Sequence, residues 1–163
     1  MRIMAVSSRG QLHDFLKYKE SDEIVSDVFS FHLSFRPAVK DVRAILAKNP
    51  ETKFIHLAFS NRETLSKRAE KLLKEKGIQI LQGLEFWGKK ADSDGFYSID
   101  LNKALGLSKR YESGELSLVG LRGVISNRLD IGAELTDYII RTEILQNMSQ
   151  EAFEKLSLIG GVD

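Results

Sequence analysis

"FHLSF", residues 31–35, and "IHLAF", residues 55–59, write nearly the same five residues 24 positions apart. Each copy is followed by text with helical periodicity. After the first comes "RPAVKDVRAILAK", in which Val39, Val42, Ile45 and Leu46 recur at helical spacing. Pro37 suits the first helical position, where a missing N–H costs nothing. After the second comes "SNRETLSKRAEKLLKEKG", read as one helix. Ser60 and Glu63 stand at capping-box spacing, Gly77 closes the segment, and Leu65, Ala69, Leu72 and Leu73 form its buried stripe. Glu63–Lys67 and Glu70–Lys74 are i,i+4 pairs on its solvent side. The repeat is therefore a strand–helix unit, and strands separated by a helix pair in parallel.

The same unit extends in both directions. "RIMAVS", residues 2–7, reads as a first buried strand, and "SRGQLHDFLKYK" as its helix, with Ser8 and Gln11 at capping-box spacing. Residues 24–35 contain the second strand. "IQILQGLEF" is a fourth, with Ile80 and Leu81 falling where His56 and Leu57 fell. The period lies in the leucine-rich-repeat range, but the L-x-x-L-x-L-x-x-N signature is missing and the helices are full length. The expected fold is thus α/β and Rossmann-like. It is a small parallel sheet of about four strands in βα units with flanking helices, spanning residues 1–99. "GKKADSDGFYSID", residues 88–100, is polar and turn-rich and marks a boundary. Beyond it, residues 100–163 read as an all-helical C-terminal subdomain in which no strand signal returns.

Bulk properties narrow the function classes. A chain of 163 residues with 42% hydrophobic content holds one domain, or one with an appendage, and can bury a core. A net charge of +1 argues against a constitutively basic nucleic-acid binder. Cysteine is absent, which excludes disulfides, thiolate ligands and a Cys nucleophile and fits a reducing cytoplasm. No apolar run approaches ~18 residues, so no membrane partner is expected. The N-terminal residues read as a strand and not as a signal peptide, and a cytoplasmic location is expected.

Strand periodicity sorts the repeat into two faces. Phe31, Leu33 and Phe35 share one with Ile55, Leu57 and Phe59, an apolar face that belongs under helices. Ser30, His32 and Ser34 share the other with Phe54, His56 and Ala58. In register, His32 and His56 become cross-strand neighbours. A metal would need a third ligand, and no Asp, Glu or further His stands at a matching place. No metal and no cofactor is therefore expected, and the imidazoles are read as hydrogen-bonded within a semi-buried face.

The strand ends carry the candidate site. Arg9, Arg36 and Arg62 each follow a strand and stand at or beside a helix N-terminus, where the helix dipole disfavours a cation by ~0.3–1 kcal/mol. The three converge on the carboxyl edge of a parallel sheet, where open α/β sheets bind ligands. Helix N–H groups, arginine forks and the short polar side chains Ser8, Ser60 and Asn61 suit an anion. "EFWGKK" adds Trp87, Lys89 and Lys90 to the same edge. The leading expectation is a binding or regulatory protein holding a phosphate-bearing small molecule, with Trp87 stacking on it. The bland alternative is that the arginines pair with Asp41, Glu63 or Glu85. Neither G-x-G-x-x-G nor a Walker loop is present, which excludes the standard dinucleotide and P-loop sites.

A second expectation is nucleic-acid binding, through the same basic edge or through a helix-turn-helix-like tail, "LVGLRGVISNRLDIGAELTDYIIR". There Leu121, Val124 and Ile125 pack against Leu135, Ile139 and Ile140 across an Asp130-Ile131-Gly132 break. The charge argues against DNA reading: residues 101–163 hold 7 basic and 9 acidic side chains. The hairpin then serves as a dimerisation or lid element, and a homodimer is a further expectation. The third reading is an enzyme acting on a phosphorylated small molecule, although the catalytic residues are unknown and no nucleophile–base pair is visible.

"HLSFRPAVKD", "NRETLSKRAEKLLKEKGIQILQG" and "WGKKADSDGFYSI", extending to "IGAELTDYII", carry a resemblance to the archaeal domain-of-unknown-function family 1699, found chiefly in methanogens. It covers roughly residues 1–141. The resemblance implies an archaeal cytoplasmic protein and no particular activity. The second copy, "IHLAF", is less family-typical than the first.

Overall fold

The computed structural model describes residues 1–18 and 30–147. The chain divides into two compact units, Met1–Ile99 and Asp100–Asp163. The first is built on a five-stranded sheet of order β4-β3-β2-β1-β5, with β1 at Arg2–Val6, β2 at Ser30–Leu33, β3 at Phe54–Leu57, β4 at Gln79–Gln82 and β5 at Phe96–Ser98. The four strands β1 to β4 run parallel, as the βα units require, and β5 adds to β1 in the antiparallel sense. The fifth strand lies inside the turn-rich stretch where only a boundary was read. Three residues paired on one side leave too short a pattern to register as a period.

The repeat sets the central register. Phe31 faces Ile55, His32 faces His56 and Leu33 faces Leu57. The third copy is offset by one from the expected alignment: Ile80 pairs with Ile55, and Leu81 with His56. The slip follows from the face rule, since only this register puts Ile80 on the apolar side with Ile55. That side is the core. Phe31, Leu33, Ile55 and Leu57 are fully buried there with Leu12, Val42, Ile45, Ala69 and Leu73 from the helices. Each of these side chains except Ala69 contributes roughly 1.5–3 kcal/mol of burial.

Helix α1 spans Arg9–Tyr18, α2 Val39–Lys48, α3 Phe59–Glu63 and α4 Lys67–Glu75. The Ser8 hydroxyl accepts from Gln11 N–H at 3.2 Å, while the Gln11 side chain reaches Ser7 and not the Ser8 backbone. Pro37 lies outside α2, one residue before its N-cap Ala38. Asp41 caps that helix from within, accepting from Ala38 N–H at 2.7 Å. The single helix expected over "SNRETLSKRAEKLLKEKG" is two. α3 ends at Glu63, buried Leu65 fills the break, and the Ser66 hydroxyl caps α4 by accepting from Ala69 N–H at 3.2 Å. A core leucine between two short helices anchors the turn more firmly than continuous helix propensity would. The Glu63–Lys67 pair falls across the break, and Glu70–Lys74 survives at 3.2 Å.

The second unit is helical throughout its described residues. A 3₁₀ turn at Leu101–Ala104 precedes α5 (Leu107–Glu112), α6 (Leu118–Leu129) and α7 (Ala133–Ile139), which runs on through a π turn at Ile140–Ile144. α6 and α7 are joined through Asp130 in the left-handed conformation, φ 52°, and the Ser126 hydroxyl donates to Ile131 O at 2.7 Å. Leu121, Ile125, Leu135, Ile139 and Ile140 are buried, and Val124 is half-buried. Arg122 forks onto the Asp137 carboxylate. The expected last helix, "SQEAFEKLSLI", lies outside the described residues, as does the start of the second expected strand.

Candidate functional site

Arg9 opens α1 after β1 and Arg36 follows β2, whereas Arg62 lies in the last turn of α3 and not at a helix N-terminus. Their partners differ. Arg9 Nε donates to Asp41 Oδ2 at 2.9 Å, and its Nη2 donates to the Arg36 carbonyl at 2.9 Å. Its guanidinium also lies 5.6 Å from the Phe35 ring centre. Arg62 Nη2 donates to Glu70 Oε1 at 2.9 Å, a partner the spacing did not suggest. Arg36 touches only a carbonyl, Thr64 O, at 3.5 Å. Among the described residues it faces no carboxylate. Ser8 is engaged as the α1 cap, Ser60 is exposed, and Asn61 is half-buried. Trp87 is 81% exposed, and Lys89 lends its carbonyl to the Tyr97 hydroxyl at 3.3 Å.

The other face of the sheet holds a denser arrangement. His32 and His56, brought opposite each other by the register, share a hydrogen bond between their Nδ1 atoms of 2.9 Å. His56 Nε2 meets Glu85 Oε2 at 3.0 Å, and His32 Nε2 meets Ser34 Oγ at 3.3 Å. His56 and the Glu85 side chain are buried, His32 is 8% exposed, and Ser34 is at the surface. A carboxylate only accepts, so His56 donates from Nε2 and accepts at Nδ1. His32 then donates from Nδ1, which leaves Nε2 to accept from the Ser34 hydroxyl. One donor order runs through all four groups.

The line is the wrong shape for a metal. The two Nδ1 atoms are spent on each other, and the carboxylate stands on the far nitrogen of His56. Among the described residues no group of three His, Asp or Glu side chains converges to hold an ion.

The loop after β4 supplies what sequence reasoning missed. β4 and β5 lie at opposite edges of the sheet, so the chain between them must cross every strand. That crossing lays Glu85 beside His56 and places the Phe86 ring edge-on to both imidazoles, with centroids 5.1 Å from His32 and 5.0 Å from His56. Tyr97 of β5 stacks on Phe86 at 4.3 Å and an interplanar angle of 7°. Gly83 makes room for the return: a Cβ there would stand 1.8 Å from Glu85 Oε2. The apolar cover explains the electrostatics. Burial, and then the neighbouring His56, pull the His32 pKa down from 6.5 to about 4, against a smaller opposing effect of Glu85. Burial also pushes the Tyr97 hydroxyl up.

A small mixed α/β domain with an arginine-bearing carboxyl edge and a buried histidine relay is the class these features define. The model of the family of unknown function DUF1699, N-terminal domain, matches residues 3–95. That is more than half of the chain, and it runs from β1 through β4 and stops just before β5. The chain belongs to this family. No curated protein matches it, and no solved structure does. Among the described residues no helix is long and apolar enough to cross a membrane.

Proposed function

We propose that the protein binds an anionic small molecule, phosphate-bearing in the simplest case, at the carboxyl edge of its sheet with Arg36 as the principal contact. One observation carries the reading. Arg36 is exposed and faces no carboxylate among the described residues, while its neighbour Arg9 is fixed by buried Asp41 and braces the Arg36 carbonyl. A guanidinium held on a stiffened backbone and left with only a long contact to a carbonyl is ready for a bidentate acceptor. The pairs Arg9–Asp41 and Arg62–Glu70 then frame the site and do not bind directly.

Isothermal titration with inorganic phosphate and with a nucleoside triphosphate tests this. Saturable binding that weakens at least ~10-fold in Arg36→Ala supports it. Equal affinity of the variant overturns it. A response confined to oligonucleotides, and falling steeply with salt, would replace the small molecule with a nucleic-acid backbone.

A further inference from the structure

A hydroxyl, two imidazoles and a carboxylate stand in one hydrogen-bonded line, with its outer end in solvent and its inner end buried. The donor order leaves His32 Nε2 as a lone-pair acceptor pointed at a surface hydroxyl. That is the arrangement in which a weak nucleophile is activated by an adjacent base that a third group orients. We propose that Ser34 is the nucleophile of an ester-hydrolysing centre and His32 its general base, with His56 and Glu85 as positioning residues that hold His32 in the required tautomer.

The chain around Ser34 supplies the rest. Ser34 N–H is tied to Val6 O at 2.9 Å, which pins the residue to the end of β1. The next two N–H groups, of Phe35 and Arg36, make no hydrogen bond to any described residue. They follow the nucleophile directly, where donors are needed for an oxygen that gains charge. Arg36 lies two residues beyond Ser34, so the substrate class is an ester with a negatively charged group. That last point rests on the anion reading above, whereas the relay does not.

The step balances without an oxidant or cofactor. Ser34 Oγ bonds to the acyl carbon as its proton passes to His32 Nε2, and the carbonyl π pair moves onto oxygen. The pair returns, the bond to the leaving alcohol breaks, and the alcohol oxygen takes the proton from His32. Water then attacks the acyl-serine and gives its proton to His32. Ser34 Oγ recovers that proton as the acid departs. The sum is ester plus water to acid plus alcohol.

The test uses the full chain with a fluorophosphonate probe, and with two nitrophenyl esters, the neutral acetate and the anionic succinate half-ester. The expected result is a stoichiometric mass label on Ser34 and turnover of both esters. Ser34→Ala should remove the label and lower turnover at least ~100-fold. Glu85→Gln, checked for folding by circular dichroism, should lower kcat with KM unmoved and change the pH profile, which a purely structural role would not do. Absence of label on Ser34, or unchanged turnover in Ser34→Ala, overturns the centre. Arg36→Ala should abolish the preference for the succinate ester. If that preference persists while Ser34 still labels, the anion reading fails and the relay stands.

Discussion

His32 ties stability to pH with a definite sign. Unfolded, it takes up a proton near 6.5; folded, not until about 4, because burial and His56 oppose the charge. Between those values the unfolded chain binds more protons, so acid favours unfolding. The His32 contribution is complete above pH 6.5 and is lost as pH falls toward 4, by about 1.4 kcal/mol per pH unit. Urea unfolding of wild type and His32→Gln across this window should show a flatter slope in the variant. Parallel slopes would mean that another group carries the acid sensitivity. Gly83 gives a second residue-scale prediction. Gly83→Ala forces the Glu85 carboxylate away from His56, since the new methyl would stand 1.8 Å from Oε2. His56 Nε2–H then loses its acceptor in a buried place, at about 1–3 kcal/mol. A change below about 0.5 kcal/mol would show that the loop adapts without breaking the contact.

At the element scale, the segment between β3 and β4 separates what a pattern reads from what packing decides. "SNRETLSKRAE" offers serines at both ends of a short run, and either can open a helix. The structure uses Ser66, because Leu65 is drawn into the core and interrupts the backbone before α4. Ser66→Ala should therefore cost about 1 kcal/mol, the usual loss of an N-cap, while Ser60→Ala should cost little. Thermal unfolding of the two variants decides it. Equal losses would mean that α3 and α4 behave as one helix. The loop from β4 to β5 makes the same point from the other side. Glu85 and Phe86 read as the end of the fourth strand, "IQILQGLEF", yet β4 stops at Gln82 and they lie on the loop, against the histidines.

Over the whole molecule, what was legible followed periodicity. The 24-residue repeat implied parallel strands and the His32–His56 pairing, and alternation named the core face except at Phe59, which opens α3 beyond the end of β3 and is 46% exposed. Ser34 was placed on the histidine face by the same rule. Glu85 was not, because it arrives from 29 residues beyond His56 on a loop that has no period. Similarly, a three-residue strand with one neighbour leaves no trace that alternation detects, and Arg62 chose Glu70 over the acids nearer in sequence. The sheet order carries a final consequence. β3 is hydrogen-bonded on both sides and its residues are buried, whereas β5 pairs with β1 alone and presents Ser98 to solvent. Amides opened only by global unfolding exchange most slowly, and edge amides exchange through local opening. Hydrogen exchange read by mass spectrometry should thus find residues 54–57 protected near the full unfolding free energy and residues 96–98 well below it. Since β5 also brings Tyr97 onto Phe86, its local opening would loosen the aromatic cover over the two imidazole rings. Equal protection of the two strands would make β5 part of the same cooperative unit as β3.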